Sequence, residues 1–245
     1  MYWEMPKMWL GCSVVLLGGG PSLPALLKGK KFKCPVIAIN DAFRLYPEAD
    51  MLFFGDTKWY WWNREDIKTF KGLKVTCDRR RVPSKVDDGK EIYPPVNGVP
   101  DINIVRHGNN WGVCSEDNRK IFFNSSSGGA AIGLAWRLGA TKVVLVGYDM
   151  RLVKGERNWR RHPNQSSGPQ KGYENFLRPF DKIAQDAQRL KLEIVNATPG
   201  SGLDHFPFIG LDSLCKLWTS IKLFAISLLI EQVLPDMVMG SLSFV

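Results

Sequence analysis

Cysteine is scarce and unpaired in this sequence. The five residues, Cys12, Cys34, Cys77, Cys114 and Cys215, are odd in number, widely spaced and without a C-x-x-C pair. That pattern excludes a disulfide framework and a zinc site, and it implies reduced thiols of a cytoplasmic protein. No His/Asp/Glu cluster has metal-ligand spacing, so no structural metal is expected. No apolar run reaches the ~18–20 residues of a spanning helix. Lys7 followed by "MWLGCSVVLL" resembles a signal peptide only superficially, because Met8 to Gly11 is too short for an apolar core before the run passes into glycines. Internal repeats are absent too.

What is present is a core and a positive charge. The 245 residues are 44% hydrophobic and 23% charged, which supports one sizeable core and excludes wholesale disorder. The formal net charge of +9 favours anionic partners: nucleotides, phosphorylated substrates, nucleic acid or anionic lipid. The triplet "RRR", 79 to 81, is a weak electrostatic hint of nucleic acid, unsupported by any recognition motif.

Apolar strands run along the chain at 13–17, 34–40, 49–56, 72–78, 101–108 and 142–147, with a last strand and turn at 192–201. The first four are read as continuously apolar rather than alternating, as in a parallel sheet covered on both faces. Between them, small residues open a helix from Ser127 to Leu138 that Gly139 ends. Phe176, Phe180, Ile183, Ala187 and Leu190 recur at helical spacing. The expected fold is an α/β, Rossmann-like open sheet, mostly parallel, with helices on both faces. It occupies residues 1–210. The rest, 211–245, reads as a hydrophobic helical tail that packs either on the domain or on a second copy, the latter making a homo-oligomer, with membrane-surface binding as the sharper alternative. Residues 57–70, "TKWYWWNREDIKTF", read as a short helix or loop at the sheet's rim, and 79–100 as an irregular excursion.

The chemistry concentrates at strand ends. "GGGPSL", 18 to 23, follows the first strand. Gly18 and Gly20 begin a dinucleotide fingerprint, but Leu23 stands where its third glycine belongs, and no Gly-Lys-Ser/Thr ending makes a P-loop. A phosphate site remains possible in physical terms: Gly18, Gly19 and Gly20 admit an anion to the backbone, and Pro21 and Ser22 start a helix whose N–H groups face it. A plain strand-to-helix turn accounts for the segment equally well. "NSSSGG" is a second helix start, with Asn124, Ser125, Ser126 and Ser127 before Gly128, serving as a cap or as ligand donors. Asp41, Asp56 and Asp149 each follow an apolar strand, and Tyr148 precedes the last of them. Asp149 is the best placed as a ribose contact, or as a magnesium ligand in a kinase; the alternative for all of them is turn formation or capping. The aromatic run "WYWW", 59 to 62, packs a core or stacks a ring. Arg157, Arg160 and Arg161 in the basic loop 151–172 match a phosphate in geometry.

"GGGPSL", Asn40 closing the second strand, "NSSSGGAAIGLAWRLGA" and a strand ending in "GYD" together resemble the bacterial sialyltransferase superfamily over roughly residues 12 to 206. That grouping includes, more distantly, the MptE-like pterin pyrophosphokinases, and similar domains are common in phage genomes. The resemblance implies a nucleotide-linked donor lying across Gly18 to Ser22, with Asn40 and the turn Asn124 to Gly128 on base, ribose or phosphate. It also implies a histidine base in the loop after "GYD", where His162 sits. Histidine suits that task, and Arg160 and Arg161 beside it disfavour the imidazolium. His205 competes for the role, and His107 is a weaker candidate. The tyrosines that hold the departing phosphate in the family have no clear counterpart, with Tyr148 and Tyr173 as candidates.

Three functions follow. One is a glycosyltransferase using a nucleotide-sugar donor, CMP-linked by resemblance, and a glycan or small-molecule acceptor. The second is a pyrophosphokinase using ATP and magnesium. The third is a nucleotide-binding or phage assembly module without catalysis.

Overall fold

A computed structural model describes residues 1–78, 96, 98–113, 116–160 and 173–213. The chain divides into two compact units, Met1–Phe208 and Ile209–Val245. Of the second, only 209–213 are described, so the tail expected at 211–245 lies almost wholly outside the described residues. The same holds for "RRR", most of the 79–100 excursion, Cys114, Cys215, Arg161 and His162.

The first unit is built on an eight-stranded sheet in the order β6-β5-β4-β3-β2-β1-β7-β8. Every pair in it is parallel. The strands are β1 (Ser13–Leu17), β2 (Val36–Ile39), β3 (Met51–Phe54), β4 (Leu73–Asp78), β5 (Ile102–Gly108), β6 (Lys120–Phe122), β7 (Lys142–Val146) and β8 (Glu193–Asn196). Val14, Val15, Leu16 and Leu17 of β1 are all fully buried. Both faces of β1 are covered, which is why the run reads as continuously apolar.

Alternate side chains sort the two faces. Val14, Leu16, Ile37, Ile39, Met51 and Phe53 join one core with α3 (Ser127–Arg137) and α4 (Tyr173–Leu190). Phe54, on the opposite face, packs against Trp59 and Tyr60 of α2 (Thr57–Ile67), with ring centroids 5.3 and 5.9 Å away. The run "WYWW" therefore lies on a helix, and its first two rings are buried. α1 (Leu23–Leu27) is short and buries Leu23 and Leu27. Gly129 suits the tight turn that opens α3: a Cβ there would come within 2.7 Å of Asn124 Cβ. Gly139 follows α3 at φ +105°, as a terminating glycine does.

The chain runs outward from β1 to β6 on one side, then returns to place β7 on the other. The strand order thus reverses at β1, the position where open parallel sheets form a crevice beyond their carboxyl ends.

Candidate functional site

The crevice is present. A cavity of about 600 Å³ opens beyond the carboxyl ends of β1, β2, β3 and β7, within the ~300–1,000 Å³ of small-molecule sites. Of the residues singled out from sequence, Gly18, Gly19, Gly20, Asn40, Asp56, Ser125, Ser126, Ser127, Gly128, Tyr148, Asp149, Arg157 and Arg160 line it. Pro21, Ser22 and Asn124 do not.

The glycine turn is shaped by packing against the β7 loop. Gly18 N–H donates to Val146 O at 2.8 Å, and Gly20 N–H donates to Gly147 O at 2.9 Å. A Cβ at Gly18 would stand 2.6 Å from Gly147 O, and one at Gly20 only 1.9 Å from Asp149 Oδ2. Gly19 differs: a Cβ there would meet only Asn158 Oδ1 at 3.5 Å. Its N–H has no hydrogen-bond partner among the described residues.

The start of α1 already holds an anion. Asp149, buried, accepts from Ser22 Oγ at 2.8 Å and from Ser22 N–H at 3.3 Å. Ser22 makes no side-chain cap bond to α1. Its hydroxyl orients Asp149 instead. A ligand phosphate at α1 would displace that carboxylate, so α3 is the available helix end.

At α3, Ser126 is the N-cap and accepts from Gly129 N–H at 3.0 Å. The N–H groups of Ser127 and Gly128, in the first turn, have no intrahelical acceptor. Ser127 Oγ accepts from Gly55 N–H at 3.1 Å, tying α3 to the end of β3. Asn124 is the clamp of this turn. Its Oδ1 accepts from Gly112 N–H at 2.8 Å, and its Nδ2 donates to the carbonyls of Gly112, Phe122 and Gly129. Its side chain is spent on backbone. Asn124 and Ser125 both have φ near +55° (54° and 57°), Asn40 has φ 50° and Met150 φ 47°. Backbone in this sparsely used region gathers at functional sites.

Two phenols border the cavity. Tyr148 OH donates to Gly128 O at 3.1 Å, and Tyr173 OH donates to Arg157 O at 3.2 Å. Burial pushes both phenols above their ordinary value, so they stay protonated, with each proton committed to a carbonyl. The Tyr173 ring also lies under the Arg157 guanidinium, 5.4 Å from centroid to Cζ. The strap 151–160 is pinned over the glycines, where Trp159 N–H donates to Gly19 O at 3.1 Å. Arg160 NH1 lies 2.9 Å from Asp41 Oδ1. Asp56 caps α2, accepting from Lys58 N–H at 2.9 Å.

Sequence reasoning passed over Phe123, Met150, Asn158, Trp159 and Phe176, which also line the cavity, and among the strand-end carboxylates it favoured Asp149 over Asp41, which lines the cavity too. Their neighbourhood to the arginine loop and the "NSSS" turn was the available signal. Trp59 and Trp62 of the aromatic run reach the cavity as well. His205 stands apart from it, with Nε2 3.0 Å from Asp181 Oδ1 and its ring among Phe180 and Phe206. The His107 ring lies tilted against Phe123, with centroids 5.1 Å apart. Among the described residues no group of three or more His, Cys, Asp or Glu could hold a metal ion. No helix among them is long and apolar enough to cross a membrane.

No family model and no curated protein matches the sequence. Solved structures do show a likeness. One is the sialyltransferase CstII from Campylobacter jejuni in complex with cytidine-5'-monophosphate, at 12% identity and TM-score 0.48, covering 82% of this chain and 85% of that one. The same enzyme with CMP-3FNeuAc aligns at 12% identity and TM-score 0.45, covering 81% and 86%. The sialyltransferase CST-II with a trisaccharide acceptor and CMP aligns at 13% identity and TM-score 0.46, covering 80% and 84%.

Proposed function

We propose that the chain is a nucleotide-dependent glycosyltransferase of sialyltransferase-like type, moving a sugar from a nucleotide-linked donor to a hydroxyl acceptor. One observation carries the reading. A single cavity brings together the Gly19 N–H, which has no partner among the described residues, the first turn of α3, and Arg157 and Arg160. Backbone donors at a helix start and a guanidinium fork are what a phosphate needs.

In this reading the donor's phosphate lies at Ser125–Gly128, since Asp149 fills the corresponding place at α1. The base and ribose extend toward Gly18–Gly20, Asn40 and Asp56. Trp62 and Tyr148 supply ring surface for them. The acceptor's hydroxyl oxygen forms a bond to the anomeric carbon while the carbon–oxygen bond to phosphate breaks. The electron pair leaves on the nucleotide's phosphate oxygen, where Arg157, Arg160 and Arg161 stabilise it. His162 takes the hydroxyl proton.

Thermal denaturation with CMP, UDP, GDP and ATP, each with and without magnesium, tests the reading. A nucleotide at a hundred times its Kd stabilises by about 2.7 kcal/mol, which for a chain of this size is a Tm rise of roughly 5–10 °C. CMP is expected to give that rise without metal. Stabilisation by ATP alone, and only with magnesium, favours the pyrophosphokinase instead. No shift with any nucleotide refutes both. His162→Ala is expected to abolish transfer and keep nucleotide binding; retained turnover removes it as the base.

A further inference from the structure

Arg160 sits at the end of a strap, and a long side chain on a strap is a poor ligand unless something holds it. Asp41 holds it, through the 2.9 Å contact of Arg160 NH1 with Asp41 Oδ1. Asp41 is itself fixed from behind. Arg44 Nε donates to its Oδ1 at 3.1 Å, and the buried Trp59 Nε1 donates to its Oδ2 at 3.0 Å. Arg44 in turn donates to Asn63 Oδ1 at 2.8 Å and pairs with Asp66. Asn63 is buried and anchored by its own Nδ2, which donates to Trp59 O at 2.8 Å.

The backbone adds to this. Asn40, one residue before, has φ 50° and turns the chain sharply off the end of β2, which sets Asp41 at the cavity wall. The result is a chain of alternating charge, Asp66–Arg44–Asp41–Arg160, that runs from the outside of α2 to the cavity. Asp41 is shared between Arg44 and Arg160, so what Arg160 keeps for a ligand is its remaining donors. Guanidinium has five N–H donors, and Asp41 engages one nitrogen of the fork.

Resting on the glycosyltransferase reading, we propose that Asp41 is a positioning residue. It preorganises Arg160 to donate to the phosphate of the nucleotide, with Arg44, Trp59 and Asn63 as its support. Preorganised donors act without the cost of reorganising when the ligand arrives.

Calorimetric titration with two probes, CMP and cytidine, in metal-free buffer tests this in wild type, Asp41→Asn, Arg160→Gln and the double variant. Loss of a charge-assisted contact predicts that Arg160→Gln weakens CMP about tenfold and leaves cytidine unchanged. Asp41→Asn is expected to weaken CMP by about three- to tenfold and again spare cytidine. The double variant should be no worse than Arg160→Gln alone, because the two act as one unit. Asp41→Glu keeps the charge against Arg44 and misplaces the fork, so it should show the same selective loss if Asp41→Asn fails to fold. CMP affinity unchanged in both Asp41 variants overturns the proposal. So does an equal loss of CMP and cytidine, the signature of a merely structural residue, or an additive double variant. A wild-type chain that binds neither probe overturns the glycosyltransferase reading and the proposal with it, whereas wild-type CMP binding alongside unaffected Asp41 variants overturns the proposal alone.

Discussion

Adding one methyl group to the glycine turn separates packing from ligand access. In Gly20→Ala the new Cβ falls 1.9 Å from Asp149 Oδ2, 2.6 Å from Gly147 O and 2.8 Å from Asp149 Cγ. None of these can yield cheaply. Gly147 O belongs to backbone that accepts the Gly20 N–H, and Asp149 is buried and held by Ser22. Overpacking of this kind costs about 1–3 kcal/mol, and displacing Asp149 also gives up its charge-assisted bond from Ser22, about 1.5–3 kcal/mol when lost. Some relaxation is shared, so the expected loss is roughly 2–5 kcal/mol, or about 4–20 °C in Tm. In Gly19→Ala the nearest atom is Asn158 Oδ1 at 3.5 Å, an ordinary contact. Its stability should stay within about 0.5 kcal/mol of wild type, while nucleotide binding weakens because the methyl stands where the backbone meets the ligand. Urea denaturation with nucleotide titration reads both. Equal stability of Gly20→Ala and wild type refutes the packing account of the turn. A Gly19→Ala variant as unstable as Gly20→Ala refutes the division of labour between the glycines.

Asn124→Ala removes the clamp under Ser125, leaving Gly112, Phe122 and Gly129 groups without their partner in a buried turn. A loss of about 2–4 kcal/mol is expected by chemical denaturation, and a loss below ~0.5 kcal/mol contradicts the clamp. Asp186 is buried on α4; burial would raise its carboxyl, but hydrogen bonds from Lys182, Val113 N–H and Arg189 hold it below the ordinary value. A carboxyl lowered by folding stabilises above its unfolded pKa of about 4 and loses that contribution as pH falls through the lower folded value. Asp186→Asn should therefore cost stability at pH 7 and flatten the acid limb of a stability–pH profile; an unchanged limb refutes it. Burial, with the Asp50 charge beside it, pushes the Cys34 thiol up to about 12. Iodoacetamide at pH 8 should alkylate it orders of magnitude more slowly than a free thiol, and mass spectrometry showing full labelling at the free-thiol rate contradicts that.

The fold was legible where burial dictates composition. β1, β2, β3 and β7 are covered on both faces, so hydrophobicity alone marks them, and the α3 stop at Gly139 follows from a backbone that only glycine adopts easily. β6, three residues at the sheet's edge with Lys120 and Phe122 only partly buried, carries no such mark. The gathering of strand ends at one cavity was legible from the order of the motifs. What each residue does there was not, because the deciding contacts are distant in sequence. Ser22 looks like a helix cap until Asp149, 127 residues away, takes its hydroxyl. Asp41 looks like a turn residue until Arg160, 119 residues away, pairs with it. The three glycines look alike, yet Gly18 and Gly20 answer to the β7 loop, while a Cβ at Gly19 would make only an ordinary contact with Asn158.

The most direct test of the central claim is a crystal structure of the chain with CMP. The account predicts the nucleotide in the cavity beyond β1, β2, β3 and β7, with its phosphate at Ser125–Gly128 within hydrogen-bond reach of Arg160, and Asp149 still held by Ser22. A phosphate at Gly20–Ser22 that displaces Asp149, or a nucleotide bound outside this cavity, would contradict it.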